Sequence, residues 1–313
     1  MKNNHYNLIV ILGQTATGKT ALAARIARDL GSEIISADSR QVYRGMDLGT
    51  GKDLDDFVVD GVVVPYHLID IVDPDHEFSV FEYQKRFYES FLEISKRGIV
   101  PVMVGGTGLY IEAIIERYRM REVPEDYPLR DTLENEDDES LRDHLWKLNP
   151  ELHNTTDILD RNRLIRALEI AEYTEAHRLK PEAAKPEITP LILGIRWERD
   201  VLRLRIKERL QRRFALGMVD EVKSLHASGI SWEKLDYFGL EYRFVSLYLQ
   251  GEMEYDEMFE KLVTKIRQFA KRQGTWFRRM EKRGTVIHWI DGGDYRALEN
   301  LISKHLIIHD TKK

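Results

Sequence analysis

The segment "GQTATGKT" (residues 13–20) directly follows the apolar run "NLIVIL" and leads into "ALAARIARDLG". A Gly, four free positions and then Gly-Lys-Thr is the pattern of a phosphate cradle. It requires a strand leading in, a tight turn, and a helix leading out, so that successive N–H groups and the helix N-terminus converge on one anion. Gly13 and Gly18 permit the turn, Gln14, Thr15, Ala16 and Thr17 form the loop, Lys19 reaches terminal phosphates, and the Thr20 hydroxyl can ligate Mg²⁺. The loop does not specify its phosphate compound, because small-molecule kinases, ATPases and other pyrophosphate users share it. An ATPase would add an Asp at the end of a second apolar strand. Here "VPVMVGGT" ends in Gly-Gly-Thr, and Asp70 of "HLIDIV" is the available stand-in.

The rest of the N-terminal region fits such a core. Residues 7–12, 33–38 and 99–106 read as strands, 61–74 contains an extended stretch broken by Pro65, and 21–31, 79–98 and 107–118 read as helices, the second opening on a Ser cap. Strand and helix in alternation predict a parallel α/β sheet. The alternation stops over 119–189, which shows no strand pattern, opens on a charge-rich stretch and ends in "KPEAAKPEITP". The expected organisation is α/β: a P-loop core with a parallel sheet flanked by helices, built from 1–118 and 190–313, with an inserted small helical domain at 119–189. Residues 190–197 return to strand, mostly helical sequence follows, and 285–290 reads as a late strand.

Composition excludes several chemistries. The chain has no Cys, hence no disulfide, thiolate nucleophile or Cys-based zinc site, and its 10 His show no metal-ligand spacing. No apolar run is long enough to span a membrane, and "MKNNHYN" is too short and polar for a signal peptide, so a cytoplasmic protein is expected. The net charge of −6 hides a strong asymmetry: "ENEDDE" (134–139) is almost wholly acidic, whereas 261–283 holds nine Lys or Arg against one Glu. Such a basic stripe suits a polyanionic partner; the alternative is a basic helix docked on the acidic run.

In an open parallel sheet, residues just beyond strand C-termini converge on the ligand crevice. Asp38, at the end of "EIISAD", and Thr107, in "VGGTGLY", occupy such places. From pattern alone, Asp38 reads equally as a site residue or as the cap of a following helix, whereas Thr107 reads first as a helix cap.

Taken together, "GQTATGKT", "ADSRQVYRGMDLGTGK", "HLIDIVDP", "VGGTGLY", "DRNRLIRALEI" (160–170), "RRFALGMVDEV" (212–222) and "IRQFAKRQGTWFRR" (266–279) resemble the tRNA dimethylallyltransferase family, bacterial type, over almost the whole chain. The resemblance implies transfer of a dimethylallyl group from dimethylallyl diphosphate to the exocyclic amine of the adenosine 3′ of the anticodon (position 37) in tRNAs reading U-initial codons. The cradle would then hold the donor's diphosphate with Mg²⁺. Asp38 matches the family's general base, Thr107 the Thr near the acceptor, and Arg209 the Arg that grips the diphosphate. An adenine inside a stacked loop must be swung out to reach such a crevice. Asp38, Ser39, Arg40, Gln41 and Thr107 match the segments that touch the extruded region, and Arg163 and Arg166 the helix that meets the anticodon stem-loop. Lys271, Arg272 and Gln273, among the aromatics Phe269, Trp276 and Phe277, match the basic helix, where stacking and phosphate contact suit RNA. No membrane and no obligate protein partner are implied, and a monomer is expected.

The chain departs from the family pattern in places. "FGLEYRFV" (238–245) replaces a Gly-Tyr-(Lys/Arg)-(Glu/Gln) motif, so Gly239, Tyr242 and Arg243 match only loosely. Gln14 stands where Pro is usual, and Arg213 where Met is common. The rival readings are a P-loop small-molecule kinase, a prenyltransferase acting on free adenine nucleotides, and a nucleotide-gated RNA-binding module without transfer chemistry.

Overall fold

The structure, a computed structural model, describes residues 6–118, 120, 122–148, 160–177 and 185–305. The chain divides into two compact units, one formed by Met1–Tyr118 with Lys185–Lys313 and the other by Arg119–Ala184. Residues 180–184 of the expected Pro-containing linker lie outside the described residues.

The first unit begins with β1 (Leu8–Gly13), buried at every position, which feeds the cradle and α1 (Lys19–Asp29). β2 (Ile34–Ala37) follows, then a single 3₁₀ turn and a small hairpin of β3 (Val58–Val59) and β4 (Val62–Val63), then β5 (Tyr66–His67). α2 (Val80–Lys96) opens on Ser79, whose hydroxyl accepts the Glu82 N–H at 3.1 Å, the cap that the sequence predicts. β6 (Val102–Gly105) and α3 (Gly108–Ile115) complete this half.

The second unit carries α4 (Tyr127–Leu133), α5 (Asp138–Leu148) and α6 (Arg161–His177), with no strand among its described residues. Leu133, Leu141, Leu145, Leu164, Ile165 and Leu168 form its core. Glu169 is buried beside them, a placement tolerable only because it is paired: it accepts the Asp126 N–H and holds Arg130 (3.0 Å) and Arg166. Part of the acidic run is satisfied locally, since Arg161 pairs with Asp138 and donates to the carbonyls of Glu134 and Glu136.

The first unit then resumes, earlier than the sequence suggested: Lys185 Nζ donates to Gln84 Oε1 (2.6 Å) and the Tyr118 carbonyl (2.8 Å), and Thr189 N to Asn7 Oδ1 (2.7 Å). β7 (Pro190–Arg196) is followed by α7 (Arg199–Ala215), α8 (Met218–Ala227), α9 (Trp232–Tyr237), α10 (Leu240–Leu249), the long α11 (Tyr255–Lys282), β8 (His288–Asp291) and α12 (Tyr295–His305).

The main sheet has six strands in the order β5-β2-β6-β1-β7-β8, with every neighbouring pair parallel. Along β1 the side chains alternate between two cores: Leu8, Val10 and Leu12 join one, Ile9 and Ile11 the other. This explains why β1 is apolar without a break, since both faces are covered. The register aligns Leu12 and Ala37 with Gly105, and Gly13 with Ile195. The cradle, Asp38 and Thr107 therefore leave the sheet side by side, at its C-terminal edge. Among the described residues no helix is long and apolar enough to cross a membrane.

Candidate active site

The cradle is fastened by its carbonyls, which leaves amide hydrogens for an anion. Trp197 Nε1 donates to the Thr17 carbonyl (3.0 Å), Arg205 Nε to that of Ala16 (2.9 Å), and Thr17 Oγ1 and Lys19 Nζ to that of Gln14 (2.9 and 3.3 Å). Gly18 takes the left-handed φ of 81° at the head of α1, where a side chain would be costly. Gln14 Nε2 reaches the Ala270 carbonyl at 2.7 Å, so its amide anchors the loop to α11.

Gln273 corrects the sequence reading. It was expected on an RNA surface, but it is buried: its Oε1 accepts the Thr15 N–H at 2.8 Å and its Nε2 donates to the Gly106 carbonyl at 2.9 Å. It joins the cradle to the loop that carries Thr107. The signal was present, because Gln273 lies on the same helical line as the buried Ile266, Ala270, Phe277 and Met280. By the same spacing Phe277 is core, not an RNA platform, whereas Phe269 is exposed and Trp276 half-buried under Arg279 (3.9 Å).

A pocket of about 310 Å³ opens at the cradle, lined by Lys19, Thr20, Asp53, Asp56, Arg209 and Arg213 among others. Arg209 is held by Asp53 (2.7 Å), the Gly51 carbonyl (3.2 Å) and Thr15 Oγ1 (3.2 Å). Burial, then the charge of Arg209, brings the Lys19 pKa down to about 8 against the pull of Asp38. Burial, then Arg209, likewise brings Arg213 to about 10. Cations that depress one another in a partly dry pocket form a ready receptor for a multiply charged anion.

Asp70, the stand-in metal carboxylate, does not line this pocket; it pairs with the buried Lys52. Asp53 and Asp56, which the sequence reading passed over, do line it. Burial, then the neighbouring Asp53 carboxylate, raises the Asp56 pKa. Two carboxylates and the Thr20 hydroxyl in one pocket are the hard oxygen donors that Mg²⁺ takes together with phosphate and water, so these residues fit the ion.

Asp38 is not followed by a helix that it could cap. Its Oδ1 accepts the Arg40 N–H at 2.9 Å, and Oδ2 takes no hydrogen bond from the described residues. Thr107 stands at the head of α3 but does not cap it with its side chain; its hydroxyl accepts the Ser39 N–H at 3.1 Å. Its backbone N–H donates to the Ala37 carbonyl (3.3 Å), which locks the two loops together around Asp38. Arg40 lies over Tyr237 at 5.0 Å. Gln41, matched to the RNA-contacting segment, is half-buried and hydrogen-bonds Ser36 Oγ (3.3 Å) and the Gly51 carbonyl (3.1 Å).

The loop over 46–53 has a support that was missed. Glu221 of α8 accepts the N–H groups of Asp47 (3.0 Å), Leu48 (2.7 Å) and Gly49 (2.9 Å), and the Tyr242 hydroxyl (2.8 Å). Its place in "RRFALGMVDEV" was visible, but its partners lie more than 170 residues away for the amides.

Of the remaining RNA candidates, Lys271 and Arg272 are exposed on α11, with Arg272 over Phe269 at 5.8 Å. Arg163 is exposed on α6. Arg166 is committed inside its own unit, to Glu169 and the Val123 carbonyl (2.7 Å), because the buried carboxylate needs its charge. Arg243 pairs with Asp236.

Comparison with known proteins gives concordant results. The family profile described as IPP transferase matches residues 41–280, and that described as Isopentenyl transferase matches residues 6–60. A protein of Syntrophus aciditrophicus (strain SB) named tRNA dimethylallyltransferase 1 is 59% identical over 300 residues, 96% of this chain and 98% of that one. The crystal structure of the full-length tRNA isopentenylpyrophosphate transferase of Bacillus halodurans is 33% identical, with a TM-score of 0.67 and coverage of 96% of each chain. A eukaryotic dimethylallyltransferase described as acting on tRNA shares the fold at a TM-score of 0.75 and 22% identity, over 96% of this chain and 77% of that one.

Proposed function

The chain belongs to the tRNA dimethylallyltransferase family and is a tRNA-prenylating enzyme, and we propose that its donor is dimethylallyl diphosphate and its acceptor the exocyclic amine of the adenosine 3′ of the anticodon, position 37, in tRNAs reading U-initial codons. The observation that carries the finer reading is a cation-rich pocket at the cradle whose Lys19 feels the charge of Asp38, on a loop that Thr107 fastens through Ser39.

The chemistry follows from charge. The donor's C1–O bond breaks as the adenine N6–C1 bond forms, and the diphosphate leaves with the bonding pair. Lys19, Arg209 and the loop N–H groups stabilise that developing charge, in a pocket where the interaction is weakly screened. Thr20, Asp53 and Asp56 would hold Mg²⁺, which when bound would neutralise part of the diphosphate charge. An exocyclic adenine amine is a poor nucleophile because its lone pair is delocalised into the ring. Asp38 therefore accepts its proton as the new bond forms, with Oδ1 fixed by the Arg40 N–H. The Thr107 hydroxyl accepts from Ser39 and keeps its own hydrogen for the acceptor side. Arg163, Lys271 and Arg272 contribute exposed charge toward the stem-loop phosphates. The reading extends to a cytoplasmic monomer.

The experiment is incubation of the protein with isotope-labelled dimethylallyl diphosphate, Mg²⁺ and total unmodified tRNA, then nucleoside analysis. Label in N6-(dimethylallyl)adenosine from tRNA is expected. Label appearing instead in free adenine nucleotides would refute the acceptor.

A further inference from the structure

Arg213 has no task in the scheme above. Its side chain is 7% exposed, yet it lines the pocket that holds Lys19, Thr20 and Arg209. It lies one helical turn beyond Arg209 on α7, so both guanidiniums project from the same face. Its ion partner is Glu241, near the start of α10, at the long distance of 3.4 Å. Arg213 Nε is shut off from solvent with no hydrogen-bond partner among the described residues. The loop is shaped to admit this group: a Cβ on Gly51 would stand 1.7 Å from Arg213 Nη2 and 2.8 Å from Arg209 Nη2.

A buried guanidinium with one distant carboxylate and an unmatched N–H is poorly compensated, and leaving it so is costly. Its neighbours tip the balance further, since Arg209 and Lys19 add positive charge, while Asp53, which offsets part of it, is ion-paired with Arg209. A planar fork of N–H groups matches phosphate oxygens with good geometry. Arg213 and Glu241 also both stand where the sequence departs from the family pattern.

We propose that Arg213, positioned by Glu241, is a further ligand of the donor diphosphate beside Lys19 and Arg209. The proposal rests on the reading that this pocket holds the diphosphate. A purely structural Arg213–Glu241 pair is the competing account, and the two make different predictions when both charges are removed together.

The probe is inorganic pyrophosphate with Mg²⁺, its binding to the full chain measured by calorimetry beside thermal melting without ligand. Arg213→Met should melt lower, with Glu241 left uncompensated, and bind pyrophosphate about tenfold to a hundredfold more weakly, as removal of a charge-assisted hydrogen bond implies. Arg213→Met/Glu241→Gln should recover melting but not affinity, and it carries the test should the single variant fail to fold. Wild-type pyrophosphate affinity in this double variant, with Lys19→Ala still impaired, would overturn the proposal while leaving the donor pocket intact. Wild-type affinity in Lys19→Ala as well would overturn the pocket assignment itself.

Discussion

Glu221→Gln will loosen the loop that carries Gly51 and Asp53 to Arg209. In the native arrangement one carboxylate oxygen accepts the Asp47 and Leu48 amides, and the other accepts the Gly49 amide and the Tyr242 hydroxyl. Glutamine has one acceptor oxygen and one donor amide. With the oxygen facing Asp47 and Leu48, two bonds survive without charge assistance, the Tyr242 hydroxyl can turn to accept, and the Gly49 N–H faces another donor. Bonds to ionised groups contribute about 1.5–3 kcal/mol and neutral ones about 0.5–1.5 kcal/mol. One bond lost at about 2 kcal/mol and three weakened by about 1 kcal/mol each, that of Tyr242 included, sum to about 5 kcal/mol, which hydration of the exposed Asp47 end reduces to about 4 kcal/mol. Urea unfolding should show a lower midpoint at an unchanged m-value. Steady-state kinetics should show a severalfold higher KM for dimethylallyl diphosphate with nearly unchanged kcat at saturating substrates, because the loop shapes the donor pocket and not the proton acceptor. An unchanged midpoint, or a loss confined to kcat, would refute the reasoning.

Lys19, with its pKa near 8, is a cation below that pH and loses its charge above it, so kcat/KM for the donor should fall as pH rises through about 8. In Lys19→Arg that limb should move to higher pH; a limb that stays in place belongs to another group. Asp38→Asn keeps an acceptor for the Arg40 N–H but cannot take the amine proton, so kcat should drop roughly a hundredfold or more with donor affinity unchanged. Surviving single-turnover rates would exclude Asp38 as the base. Joint replacement of Arg163, Lys271 and Arg272 by Gln should weaken tRNA binding and reduce the log–log salt slope by about 0.7–0.9 for each phosphate no longer neutralised, with pyrophosphate binding untouched. Identical slopes would show these residues to be solvated charge. Arg166→Gln should act on melting of the second unit instead, because Glu169 would lose a partner.

The features whose signal is local were legible before any folding was considered. A Gly-spaced loop between a strand and a helix can be read from eight consecutive residues, and Ser79 capped α2 as its position implied. Helical periodicity even marked Gln273 as inward-facing, although a chemical reading of the surrounding Lys and Arg placed it outward. What periodicity encodes is which face is buried, not which polar group will be met there. Those meetings depended on the strand order, which sets β6 between β2 and β1 and so brings Thr107 against Ser39. They depended equally on helices folding back over the strand ends, which seat Gln273 between Thr15 and Gly106, Glu221 under the 47–49 amides, and Arg213 between Gly51 and Glu241. Each is a polar group at least partly withdrawn from water, whose cost is met as far as partners from distant segments arrive in hydrogen-bonding geometry, at both ends of the Gln273 amide but only in part for Arg213, and those partners are chosen by the packing of the whole unit rather than by neighbours in the chain.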